Sequence, residues 1–357
     1  MSIILFIVIL GVLIFVHELG HFLVAKYTGM RVDAFALGFP PTLWKKKIKG
    51  TEYALNLIPF GGYVKIFGEN PDELSTGDDV SNSFTSKNRF KQALVLIAGV
   101  TFNIIFAWIL LFIALLSGFS SPIELPGIDQ NNAAVVISNF VEEDTPAEVG
   151  GLMVDDRIVK LSTDSRVMDI TIPEEVVSFV SESRGEEITI DIIRGEEMLS
   201  LEITPNEDNK IGTSLEYTTI GSISIIDAFT QSFVFTGYLI KETTIGLIGF
   251  FGDLFTLNAD METVSGPIGI VSLVDQAAKV GFSFVLVFTA LISINLAIIN
   301  LLPIPALDGG RLLFVAVESI IRKPINYKFQ VWANTIGFSI LMILMIILTI
   351  SDVGKLF

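Results

Sequence analysis

Residues 3–24 read IILFIVILGVLIFVHELGHFLV. An apolar run of this length matches the roughly 20 residues that a helix needs to cross a bilayer. The run carries His17, Glu18 and His21 in its second half, has no basic stretch before it and shows no small-residue cleavage site. It therefore reads as a retained span rather than a secretion signal. On a helix, the i, i+4 spacing of His17 and His21 puts both imidazoles on one face, where they can share one metal ion, and Glu18 follows closely enough to reach a water there. The chain has only these two His. Burying three ionisable groups in a spanning helix costs about 2.5 kcal/mol or more for each charged group, so the pattern marks a functional site.

The rest of the chain agrees with a membrane setting. Of 357 residues, 51% are hydrophobic and 17% charged, which lies outside the range of ordinary soluble domains. Further runs at about 93–117, 282–302 and 331–350 give four expected spans. Between 26 and 65, Lys26, Arg31, Lys45, Lys46, Lys47, Lys49 and Lys65 face only Asp33 and Glu52, so this loop is expected on the cytoplasmic side. Residues 118–228 hold 23 acidic and six basic residues. That segment is expected outside, with both termini outside and Arg322, Lys323 and Lys328 in a second cytoplasmic loop. Such acidity disfavours anionic partners, and no nucleic-acid partner is expected.

Within the acidic segment, about 128–212 reads as a small α/β domain. A strand is expected around Val136 and Ile137, a short helix over 173–183, and a hairpin from Ile188, Ile190 and Ile192 to Leu199, Leu201 and Ile203, turning at Arg194, Gly195 and Glu196. The apolar stretch 226–256 is interrupted by Lys241, Glu242 and Asp253, which suits an interfacial helix better than a fifth span. Residues 51–66 (TEYALNLIPFGGYVKI) alternate apolar residues and contain Gly61 and Gly62; they read as a hairpin dipping into the membrane, whose edge can pair with an extended substrate. Gly266-Pro-Ile-Gly269 is expected to break the chain at the outer surface.

A catalytic zinc site needs three protein ligands and an open position. With no Cys and no third His, the missing ligand is a carboxylate, and Asp253, Asp275, Asp308 and Glu318 are the candidates. Asp308 stands out. It lies in NLLPIPALDGG (300–310) at the end of the third expected span, on the side where the charge topology also puts the His21 end of the first. Zn, Co and Fe accept the same ligands.

HELGH (17–21), FGGYVKI (60–66) and NLLPIPALDGG (300–310), in this order around an insert after the second span, resemble the bacterial site-2 proteases of the RseP/RasP type. Within the insert, TPAEVGGLMVDDRIV (145–159) resembles the turn-and-strand signature of bacterial PDZ domains, with Asp155 where that family usually has Gly. Two further departures are Gly99-Val100, where the family commonly has Gly-Pro, and a single PDZ-like domain where some members have two. The resemblance implies a polytopic α-helical membrane protein of about four spans with a membrane-associated β-hairpin and an inserted α/β PDZ-like domain. Its layout is 1–117, 128–212, 213–281 (interfacial) and 282–357. It implies Zn2+ held by His17, His21 and Asp308, Glu18 as general base, and Asn300, Pro303 and Pro305 holding substrate near the zinc. The expected location is the bacterial cytoplasmic (inner) membrane, in contact with membrane lipid. The implied substrates are single-pass membrane proteins already trimmed by another protease, such as anti-sigma factors or remnant signal peptides. A catalytically inactive scaffold presenting the PDZ-like domain is the main rival. A transporter is a weaker one, since no repeated half or pair of half-helices is visible.

Overall fold

A computed structural model of the chain describes residues 2–69, 80–117, 119–121, 133–141, 145–183, 185–195, 197–219, 224–256 and 266–355. The expected opening of the acidic domain at 128–132, and Glu196 in its hairpin turn, lie outside these residues. The chain forms two units. One comprises the residues up to Leu110 together with those from Thr236 onward, and the other runs from Leu111 to Phe235.

The first unit begins with helix α1 (Ser2–Tyr27), followed by strands β1 (Val32–Ile48) and β2 (Thr51–Ile66) and helix α2 (Arg89–Leu116). Helix α1 is apolar on all sides, yet it buries one stripe: Ile9, Leu13, His17, Gly20 and His21. The spacing of three to four keeps these residues on one face, so the packing stripe runs directly into the histidine pair. The hairpin is larger than the expected 51–66. Lys49 and Gly50 both have positive φ, 47° and 87°, the two-residue turn that suits the twist of flanking strands, and it recruits all of 32–48 as the first strand. Both strands bend, so that Ala34 to Leu37 pair with residues 52–55 on one side and 62–65 on the other.

The second unit is built on strands β3 (Ser120–Ser121) and β4 (Ala133–Phe140), helix α3 (Pro146–Val149), strands β5 (Arg157–Ser162) and β6 (Val167–Asp169) and helix α4 (Pro173–Glu182), and ends with strands β7 (Ile188–Arg194), β8 (Glu197–Ile203) and β9 (Thr213–Thr219). The sheet order is β3-β9-β4-β5-β7-β8, with β6 on β5. The expected strand, helix and hairpin are all present. Alternating Ile188, Ile190 and Ile192 point inward with Ile137, Ile158 and Leu161 and meet Phe179 of α4 in one core. Asp155 adopts φ 73°, so the turn takes the left-handed conformation without Gly. Its neighbour Asp156 is buried and accepts from the Met153 N–H at 2.8 Å and from Arg194 Nε and Nη2, each at 2.7 Å.

Helix α5 (Ile225–Phe255) leads out of this unit, and α6 (Pro267–Val280), α7 (Phe282–Leu301), α8 (Asp308–Ile321) and α9 (Tyr327–Gly354) complete the first. Among the described residues, five helices have the length and composition to cross a membrane: α1, α2, α5, α7 and α9. The stretch expected to be interfacial is thus one continuous helix, but its apolar 18-residue stretch has about half the mean hydropathy of the corresponding stretches in the other four. Long rows of exposed apolar side chains, among them Ile3, Ile4 and Val8 on α1 and Phe338, Ile343 and Ile350 on α9, suit a multi-pass membrane protein whose helices face lipid. The Gly266-Pro-Ile-Gly269 segment starts α6 and has a packing role. Buried Asp352 of α9 accepts from the N–H groups of Gly266 and Gly269 at 3.0 and 2.8 Å, satisfying donors that a helix start leaves open.

Two apolar clusters bracket the remaining polar groups. Ile9 and Leu13 pack with Val274, Phe106, Phe288 and Ile292. Ala25, Val32, Ile66, Val95 and Val315 tie the other end of α1 to the hairpin, α2 and α8.

Candidate metal centre

Between these clusters, α1 and α2 run antiparallel. His21 lies beside Val95, Gly20 beside Ala98, and His17 beside Asn103. Gly99 sits opposite both imidazoles. A Cβ there would lie 2.4 Å from His21 Nε2 and 2.7 Å from His17 Cε1, so only a residue without a side chain lets the rings reach this depth.

Asp308 arrives from the far end of the chain. Helix α7 stops at Leu301, because Pro303 and Pro305 cannot supply the N–H groups that a continuing helix needs. The loop turns through Ala306 at φ 81°, held by Asn334 Oδ1 accepting the Ala306 N–H at 3.1 Å. Asp308 opens α8, followed by Gly309 and Gly310, whose absent side chains let the backbone carbonyls of Leu301, Leu302 and Ile304 pack against the helix start. This fold-back turns the carboxylate onto the histidines.

The three side chains converge. His17 Nε2 is 3.0 Å from Asp308 Oδ2, His21 Nε2 is 3.2 Å from the same oxygen, and the two Nε2 atoms are 3.2 Å apart. Tetrahedral ligands on zinc bonds of about 2.0–2.1 Å stand about 3.3–3.4 Å from one another, so the spacing fits a zinc ion. Two imidazole nitrogens meeting one carboxylate oxygen is also the expected donor chemistry. His21 Nδ1–H donates to the Val95 carbonyl at 2.8 Å, which leaves the Nε2 lone pair facing the centre. Among the described residues these three form the one His/Asp/Glu cluster suited to a metal ion.

The other carboxylate candidates are engaged elsewhere or apart. Glu318 is buried against Arg89 at 2.7 Å, Asp275 pairs with Lys279 at 2.8 Å and accepts from Ser2 Oγ, and Asp253 is exposed on α5. Glu18 lies next to His17 and lines two cavities on the cluster. One, of about 330 Å³, also takes in Gly62, Glu69 and Arg311. The other, of about 220 Å³, takes in Gly61, Gly62 and Asn300. Asn300 Nδ2 is 3.5 Å from His17 Nε2. Gly62 lies against Glu18, since a Cβ there would be 3.3 Å from Glu18 Cγ. Pro303 and Pro305 do not line these two cavities, and Pro305 packs on Gly337 of α9. Glu69 and Arg311, ion-paired on the cavity wall, and Asn103 are site residues the sequence did not mark: Glu69 opens a polar stretch, Arg311 follows the 300–310 motif, and Asn103 is one polar residue in an apolar run.

Residues 5–344 match the family model described as peptidase family M50. A putative zinc metalloprotease of Clostridium perfringens is 34% identical over 96% of this chain and 95% of its own length. The zinc metalloprotease RasP of Oceanobacillus iheyensis is 31% identical over 100% of this chain and 99% of its own. A putative zinc metalloprotease of Fusobacterium nucleatum is 34% identical, with 100% of both chains covered.

Proposed function

As the chain belongs to peptidase family M50 and is an intramembrane zinc metalloprotease, we propose that His17, His21 and Asp308 hold its zinc and that Glu18 carries the proton in peptide-bond hydrolysis. The convergence of two Nε2 atoms and one Oδ2 within 3.0 to 3.2 Å supports this assignment. Zinc bound there supplies a Lewis acid that makes a water acidic near neutral pH and stabilises negative charge on the substrate's carbonyl oxygen. Glu18 accepts the proton of the attacking water and delivers it to the departing amine nitrogen. Asn300, on the cavity wall beside His17, offers its amide to the substrate backbone. The edge at Gly61 and Gly62 pairs with the unwound substrate, while Pro303 and Pro305 act indirectly by ending α7 and shaping the loop.

Parity supports the expected topology. Because α2 is antiparallel to α1, it ends on the side where α1 begins. Helix α6 also lies at that side, where Ser2 meets Asp275. The inserted segment and α5 together lie between these two points in the chain, so we assign α5 to the interface rather than to a single crossing, which keeps four spans and both termini outside. With the basic 26–65 loop on the cytoplasmic side of a bacterial cytoplasmic membrane, residues 128–212 form an outer PDZ-like domain between the first span pair (1–117) and the interfacial segment (213–281), ahead of the last pair (282–357). Its role is to admit single-pass substrates with short external remnants, left by another protease, and to hinder bulky ones.

The test is cleavage of one tagged model helix in vesicles, with and without a bulky outer domain. The wild-type chain should cut the short form and Glu18→Gln neither. Deletion of 128–212 should add cutting of the bulky form. Equal cutting by Glu18→Gln would remove that residue's role, and a deletion variant that still refuses the bulky form would place gating elsewhere.

A further inference from the structure

His21 has its Nδ1 proton taken up by a backbone carbonyl. His17 Nδ1 faces Asn103 instead. The Asn103 Nδ2 atom is placed 3.4 Å from it, while Asn103 Oδ1 is buried with no hydrogen-bond partner, and the residue as a whole has no exposed surface. That arrangement is chemically inconsistent with a metal-binding His17. A neutral imidazole that ligates through Nε2 carries its proton on Nδ1, so two N–H groups would confront each other while an acceptor stands idle. Amide oxygen and nitrogen are alike in shape, and their assignment is settled by the hydrogen-bond network. Rotating the amide by half a turn brings Oδ1 to the Nδ1 proton and moves the nitrogen to the position that has no hydrogen-bond partner.

Asn103 is also held from behind. Ser293 Oγ of α7, fully buried, donates to the Asn103 backbone carbonyl at 2.8 Å. Val95, Gly99 and Asn103 stand one turn apart on α2, opposite His21 and His17 one turn apart on the antiparallel α1. The three positions supply a carbonyl, an opening and an amide in turn. We infer that Asn103 is a positioning residue of the metal centre: its side-chain carbonyl accepts the Nδ1–H of His17, fixing the tautomer and the ring plane that aim Nε2 at zinc. This rests on the assignment of His17 as a ligand.

Outer-sphere partners of metal-bound histidines typically change metal affinity by about 10–100-fold. Asn103→Leu keeps the approximate volume and removes the acceptor; Asn103→Asp keeps an acceptor at the same reach. Zinc affinity of the purified full chain is measured by chelator competition, alongside the visible absorption of the Co2+-loaded protein and the thermal unfolding of the apo-protein. Asn103→Leu should lose about 10–100-fold in zinc affinity and shift the cobalt bands, with apo stability near wild type, while Asn103→Asp stays within a few-fold. Should Asn103→Leu fail to fold, Asn103→Ala takes its place in the same comparison. Wild-type affinity and cobalt spectrum in the variant lacking the acceptor, or equal losses in it and Asn103→Asp, would overturn the inference. His17→Ala is the control that separates the two levels. Retention of zinc by that variant would remove the ligand assignment itself, whereas its loss together with unchanged Asn103→Leu affinity would remove only the role of Asn103.

Discussion

His17 and Asp308, 291 positions apart in the chain, bring Nε2 and Oδ2 to 3.0 Å. Neither helix holds a complete site. Helix α1 supplies two nitrogens one turn apart, and the first residue of α8 supplies the oxygen. With His17, His21 and Asp308 as the proposed ligands, removing any one of the three leaves a two-ligand site. His21→Ala and Asp308→Ala should each weaken zinc binding by more than about 100-fold, beyond the loss typical of an outer partner. Chelator competition followed by elemental analysis measures this. Full zinc in Asp308→Ala would move the third ligand elsewhere.

Glu18 lines both cavities at the cluster without joining the convergent ligand atoms. Glu18→Gln should therefore keep its zinc while cleavage falls by about 10²–10⁴-fold, because the amide cannot accept the water's proton. The paired readout is metal content and initial rate on one model substrate. Near-wild-type turnover would exclude Glu18 from the proton path.

Gly99→Ala separates helix stability from site integrity. Alanine favours a helix over glycine by about 1 kcal/mol, yet its Cβ would stand 2.4 Å from His21 Nε2. The substitution should lower zinc affinity and activity together while leaving helix content unchanged by circular dichroism. An active, zinc-replete Gly99→Ala protein would show that the histidines can reach the metal from another depth.

A spanning substrate presents amides already hydrogen-bonded within its helix, and each one freed in an apolar setting needs a new partner. Gly or Pro near the scissile bond should speed cleavage relative to an uninterrupted Leu helix. Asn300→Ala should slow the Leu helix by up to about tenfold, near the net contribution of one hydrogen bond, and slow the broken helix less. Zinc content should not change. Equal rates on both helices in the wild type would defeat the unwinding argument.

In the second unit, Glu175 caps the start of α4. Its Oε2 accepts from the N–H groups of Thr171 at 2.7 Å and Ile172 at 3.2 Å and from the Thr171 hydroxyl at 3.0 Å. Partial burial raises its pKa, but the backbone and hydroxyl donors hold the carboxylate below its ordinary value of 4.5. The unfolded chain therefore takes up the proton first as pH falls. The contribution to stability is full above 4.5 and is lost as pH drops through that value toward the lower folded one. Thermal unfolding followed at domain-specific tryptic sites should show wild type losing more stability between pH 6 and 4 (about two units around the ordinary value) than Glu175→Gln. Identical slopes would deny the cap this role.

The histidine pair was legible because its geometry is local. A helix fixes i and i+4 on one face whatever surrounds it, and the apolar run that makes the helix is continuous. The same holds for the other three expected spans and for the strands at Ile188 and Leu199, where period-two alternation is written into neighbouring residues. Of four carboxylates, motif and charge bias singled out Asp308 in the sequence without showing that it reaches the histidines. The loop after Leu301 supports that choice, since it turns Asp308 onto the imidazoles while Arg89 and Lys279 engage Glu318 and Asp275.

Other features depend on partners far along the chain. The hairpin was read as 51–66 because alternation is clear there, whereas the preceding strand is broken by Gly38 and two prolines; only the Lys49-Gly50 turn shows that both halves pair. Gly99 and Asn103 look like one small and one polar residue in an apolar run. Their meaning comes from α1 lying antiparallel at close range, which places a missing Cβ against two rings and an amide against a third nitrogen. By itself the sequence determined four apolar helices, the histidine pair on one helix face and the acidic inserted segment, because periodicity, local spacing and charge act over a few residues. The motif singled out Asp308, but tertiary structure alone decided that its carboxylate meets both imidazoles and that Asn103 faces His17, because those contacts join groups 86 to 291 positions apart, and no local pattern encodes where such groups meet.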